Sequence, residues 1–155
     1  MKPKILFLLA ATLLTVNSVY ADDKTLVPLN TYIKKNVSGD NVAKIYVYNR
    51  CSALFLMLTI QAKDQKDLES IKFTNNTRKA YMTMALAAAD ATSETFKNKE
   101  EASKQNAELV KKLEKTYQTY ADNQTDLGKD LFEDYLIGGD LTTCSVLYKD
   151  LIAKK

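Results

Sequence analysis

Residues 40–63 read DNVAKIYVYNRCSALFLMLTIQAK, and this stretch decides the fold. It contains neither proline nor glycine. Val47, Cys51, Leu54, Phe55 and Leu58 recur at steps of three and four, which is the spacing of one helical face. Gly39 breaks the chain just ahead of it, and Asp40 is the residue type that caps a helix by accepting from its first free N–H groups. The spacing therefore predicts a long helix from Asp40 to about Lys63, with Cys51 on its buried face. The charged residues 64–69 follow as a connection.

The only other cysteine is Cys144. It falls on a second stripe, Leu141, Cys144, Leu147, Tyr148 and Leu151, in a shorter helix that Asp140 would cap after the breaker pair Gly138-Gly139. An even cysteine count in an oxidising compartment points to a disulfide. Closing a loop of 93 residues would stabilise by about 4–5 kcal/mol in the chain-entropy view. In an antiparallel bundle with short connections the first and last helices are neighbours. A Cys51–Cys144 bridge would then staple the bundle closed.

Between these helices the pattern stays helical. Tyr81, Met84, Ala88, Ala91 and Thr95 mark one face of a helix over residues 76–97, and Ala87-Ala88-Ala89 would let a neighbour approach closely. Asn98 with Glu101 resembles a capping box. It would open a third helix in which Val110, Leu113, Tyr117, Tyr120, Leu127 and Leu131 follow a heptad-like spacing. After the first twenty-one residues the chain has one proline, Pro28, and four glycines. That is too little punctuation for a β-sandwich, which needs a turn signal every ~8–12 residues. The expected fold is all-α: an antiparallel up-down bundle of about four helices, stapled by one disulfide. Residues 40–155 form it, and residues 22–39 are an extended lead-in with a short helix near 29–35.

The N-terminus has the order of a secretory signal. Lys2 and Lys4 give a positive head, Ile5 to Val16 is an apolar run of twelve residues, and Val19-Tyr20-Ala21 is a small-residue cleavage pattern. A membrane-crossing helix needs about 20 apolar residues, and the flank after the run is acidic. Residues 1–21 are thus expected to be removed after Ala21, placing the product in a bacterial periplasm or outside the cell. Of 22 basic residues, removal of Lys2 and Lys4 leaves 20 against 19 acids, a net charge of +1. Near-neutrality, with Arg50 and Arg78 the only arginines, excludes a charge-driven nucleic-acid or anionic-membrane binder. The sequons at Asn36, Asn75 and Asn123 matter only in a glycosylating pathway.

The chain contains no histidine. This removes Ser-His-Asp and Cys-His catalysis, the usual zinc and copper sites and histidine-ligated haem. No P-loop, G-x-G-x-x-G, G-x-S-x-G or C-x-x-C motif is present. Two placed carboxylates could still hydrolyse a glycoside, but Glu100, Glu101, Glu108 and Glu114 are mixed with lysines as on a solvated face. The expected function is non-enzymatic: an interaction module, without cofactor or metal, whose partner is an envelope protein or a secreted toxin or enzyme that it restrains. The alternative is a carrier of a small apolar ligand held within the bundle; a carboxylate-based hydrolase ranks last. Tyr46 lies off the main stripe of its helix, and with Arg50 one turn away it is the expected exposed contact patch. Asp122, Asp126, Asp130 and Asp134 are spaced four apart. Residues 122–133 place acids at EF-hand positions 1, 5, 9 and 12, but Gln124 and Leu127 occupy positions that need an acid and a glycine. A helix running through this stretch is the preferred reading over a calcium loop.

Overall fold

A computed structural model describes residues 26–36 and 39–154. Among them the chain forms five helices: α1 (Leu29–Asn36), α2 (Asn41–Ala62), α3 (Leu68–Thr95), α4 (Lys99–Asp126) and α5 (Ile137–Ala153). The described residues contain no strand. The segment read as a signal peptide, with its cut after Ala21, lies outside them. The fold is an all-α bundle of four long helices and one short one.

The Asp40 carboxylate accepts from the N–H of Val42 (2.8 Å) and starts α2 where the sequence places its cap. Thirteen of the 22 residues of α2 are buried, on every side of the helix. A helix apolar all round sits inside a bundle, and α2 packs against each of the other four. The single stripe read from the sequence therefore understates it: Ile45, Ala53 and Met57 are as deeply buried as Cys51 and Leu54.

α3 begins at Leu68 rather than near residue 76. Asp67 caps it by accepting from the N–H of Ser70 (2.8 Å), and the Ser70 hydroxyl donates to Gln65 (2.8 Å). Its first turns are largely exposed, so burial periodicity gives no sign of them. α4 opens as expected, with Asn98 Oδ1 accepting from the N–H of Glu101 (3.3 Å). Its buried face is Ala102, Leu109, Leu113, Tyr117 and Ala121. The heptad extension to Leu127 and Leu131 does not occur. Gly128, at φ +67°, reverses the backbone. Its N–H donates to the Thr125 carbonyl (2.8 Å) and that of Lys129 to the Gln124 carbonyl (3.0 Å). This crossed pair is a Schellman stop, and it leaves Leu127 exposed.

α5 starts three residues before Asp140, so Asp140 is not its cap. Asp134 does that work: its Oδ1 accepts from the N–H groups of Leu136 (2.8 Å) and Ile137 (2.9 Å). Gly138 and Gly139 lie within the first turn instead of ending a helix. A Cβ at Gly138 would collide with the carbonyl of Phe132, which is why the chain can turn so tightly there. Cys144 bonds to Cys51 (S–S 2.06 Å, Cα–Cα 5.4 Å), and both are fully buried. The staple joins α5 to α2 as the two stripes require. α1 closes the end of the same interface: Leu29 is fully buried, and the Tyr32 ring lies 4.6 Å from that of Tyr46.

Candidate interaction surface

The exposed patch expected at Tyr46 and Arg50 does not exist. Tyr46 is 5% exposed and Arg50 1%. Arg50 is off the predicted stripe, but on a helix covered on every side that still places it in the interior. Its guanidinium pairs with Asp140, Nη2 donating to Oδ2 at 2.6 Å and Nε at 3.0 Å. Nε also donates to the Tyr117 hydroxyl (2.9 Å), which in turn donates to the same Asp140 oxygen. The other oxygen of Asp140 accepts from the backbone N–H of Leu29 (2.6 Å). One carboxylate thus gathers α1, α2, α4 and α5.

Burial works against the Arg50 charge, but Tyr117 and Asp140 outweigh it, and its pKa lies above the ordinary arginine value. Burial pushes the Tyr117 phenol well above its ordinary value; Arg50 pulls the other way, and Asp140 adds to the rise. Breaking one side of such a buried pair costs about 3–5 kcal/mol. The cluster is sealed from solvent, with Arg50, Tyr117 and Asp140 at most 1% exposed. It is a brace between helices.

Residues 127–136 form the segment between α4 and α5. Each end is fixed by hydrogen bonds: the backbone pair of the Gly128 stop at one, the Asp134 carboxylate at the other. Between them, Asp130 Oδ1 accepts from the N–H of Phe132 (2.8 Å). Tyr120 donates its hydroxyl to Asp134 Oδ2 (3.0 Å); burial first, and then this bond, raise the Tyr120 pKa. Leu131 tucks against the core, while Leu127, Phe132 and Tyr135 are 67%, 54% and 75% exposed. The Phe132 ring meets Phe73 of α3 edge-on, centroids 6.1 Å apart. Between this segment and the α2–α3 turn lies an open groove of about 510 Å³, walled by Leu58, Ala62, Phe73, Leu131 and Phe132. The charged residues that line it, Asp67 and Glu69, are both acids.

The four evenly spaced aspartates are not one stripe. Asp122 and Asp126 lie on the last turns of α4, Asp130 braces the segment, and Asp134 caps α5. No group of three or more acids, cysteines or histidines among the described residues is arranged to hold a metal ion. The sequence reading ran the third helix on through Leu127 and Leu131, and so missed Phe132 and Tyr135 as surface features. The signal for both was Leu127-Gly128, a helix stop that detaches the later residues from the heptad count.

Comparison with known proteins finds no matching family model, no similar curated protein and no similar solved structure. The structure itself defines the class: a disulfide-stapled helical bundle presenting a short, internally braced segment. No helix among the described residues is long and apolar enough to cross a membrane.

Proposed function

We propose that this is an exported binding protein, and that residues 127–136 with the adjoining groove are its docking surface for one other protein. The observation that carries the reading is the exposure of Leu127, Phe132 and Tyr135 on a segment fixed at both ends. Aromatic side chains dominate binding energy at protein interfaces. A segment already held in shape loses little entropy on docking, so more of the contact energy becomes affinity. Asp122, Asp126, Asp130 and Glu133 are exposed around these side chains, with Lys129 the one base in residues 122–134. The partner is therefore a protein with a concave apolar site and a basic rim, reached in the envelope or outside the cell. Export rests on the N-terminal sequence and the disulfide. Binding rather than catalysis rests on the missing histidines and motifs.

The test uses the disulfide-closed protein as bait on envelope and secreted fractions, alongside two variants. Phe132→Asp should lose a stoichiometric partner while keeping its melting temperature. Met82→Asp, at an exposed apolar position on α3, should keep the partner. A partner retained by Phe132→Asp as well as by the parent would sink the reading.

A further inference from the structure

A second site lies away from that segment. α3 and α4 are joined by a turn at residues 96–98 and both pack on α2, yet they touch each other far less than either touches α2. The space between them is a cleft of about 300 Å³. α2 supplies its floor with Asn49 and Ser52; the walls are mostly small or branched apolar residues, among them Ala85 and Ala88 from α3 and Val110 from α4, with Tyr81 and Ser103 beside them. This volume is at the lower end of small-molecule sites, roughly 300–1,000 Å³. The Ala-rich stretch of α3, which would let a helix approach closely, hollows the cleft instead.

The floor carries an unanswered polar group. Ser52 is fully buried, and its hydroxyl has no hydrogen-bond partner in the protein. A serine or threonine hydroxyl inside a helix ordinarily donates to the carbonyl four residues back. Thr59, Thr92 and Thr95 do so in this chain (2.7, 2.6 and 2.7 Å). Ser52 does not, and it lines the cleft. A buried hydroxyl left without a partner is costly. Its neighbours are satisfied: the Asn49 amide donates to Asn106 Oδ1 (3.0 Å), and the Asn106 amide donates to Thr92 Oγ1 (2.5 Å). The floor is thus polar but uncharged beneath apolar walls, with Lys111 only at the solvated rim.

We propose that this cleft binds a small neutral amphiphile, an alcohol or carboxamide whose oxygen bonds the Ser52 hydroxyl and whose hydrocarbon lies against Ala85, Ala88 and Val110. It is independent of the protein-docking reading, since no residue of 127–136 lines the cleft. A formal charge is disfavoured at the floor, because no ionised group there would compensate its loss of water.

The test is an amide-resolved NMR titration of the disulfide-closed protein with 1-hexanol, and in parallel with hexanoate. The expected result is saturable 1-hexanol shifts confined to residues 49–56, 85–92 and 103–110. Hexanoate should bind at least tenfold more weakly. Ser52→Ala should weaken 1-hexanol about tenfold, and Ala85→Leu, which fills the cleft and leaves Ser52 in place, should abolish saturation. Absence of saturable shifts in the parent protein would mean that water alone answers Ser52, and would overturn the proposal. So would binding that both variants leave unchanged, or hexanoate binding as tight as that of the alcohol.

Discussion

Asp140→Asn removes one charge and almost no volume, so it isolates what the buried ion pair contributes. The asparagine oxygen can still accept from the Leu29 N–H, as Asp140 Oδ1 does at 2.6 Å. What is lost is the anion facing Arg50 at 2.6 Å, at a site where the two side chains are 1% and 0% exposed. The guanidinium keeps its proton, as arginine does throughout proteins, and it is left charged and buried without a counter-ion. The expected cost is about 3–5 kcal/mol, a large part of the roughly 5–15 kcal/mol that holds a domain folded. For a chain of this length it corresponds to a fall in melting temperature of roughly 10–20 °C. Urea denaturation with the disulfide intact measures it. The companion variant Arg50→Met/Asp140→Asn removes both charges while keeping an oxygen for the Leu29 N–H and the Tyr117 hydroxyl, and should regain much of the loss, because no uncompensated charge is then left buried. The reasoning fails if Asp140→Asn costs less than about 1 kcal/mol, or if the two positions turn out additive in a double-mutant cycle.

Cys51→Ser should destabilise by about 4–5 kcal/mol, less any strain released; thiol titration of the unfolded, unreduced parent should find no free thiol. Tyr117 holds its proton more tightly folded than unfolded, so stability is complete below about pH 10 and falls as pH rises beyond it, by about 1.4 kcal/mol per pH unit for this one group. Alkaline denaturation of Tyr117→Phe should show a correspondingly shallower slope, and an unchanged slope would remove Tyr117 as the cause. Asp134→Ala deletes the α5 cap and the Tyr120 partner, and should cost about 1–2 kcal/mol by thermal melting. Millimolar calcium should leave the melting temperature unmoved, whereas micromolar binding by calorimetry would contradict the structural roles of Asp126, Asp130 and Asp134.

The helices, their order and the staple were legible because apolar spacing and cysteine placement are local signals. Asp40 and Asn98 cap where their residue type says they should. The error at Arg50 has a plain cause: a stripe drawn on one helix assumes that its other faces meet water. Arg50 is charged and off the stripe of α2, so it reads as exposed, yet α2 has no wet face at its middle. A signal was available. Asp140 precedes Cys144 by one helical turn and so shares its face, and Arg50 is adjacent to Cys51. Once the bridge is granted, the two charges fall on the same interface. The segment at residues 127–136 was hidden for a different reason. Leucines at heptad spacing on either side of Gly128 imitate a continuous helix, and a positive φ leaves no mark on hydrophobic periodicity. Ser52 carried no signal at all, since whether a serine finds a partner depends on neighbours far away in sequence.

The bridge has one consequence for the fate of a damaged molecule. It closes a covalent ring of chain from Cys51 to Cys144, and the whole of α3 and α4 and the segment at residues 127–136 lie inside that ring. A protease that cuts anywhere within it, including at the turn between α3 and α4, opens the ring without parting the molecule. The two pieces stay tethered through sulfur at the centre of their shared core, and they migrate as one species on a gel until a reductant is added.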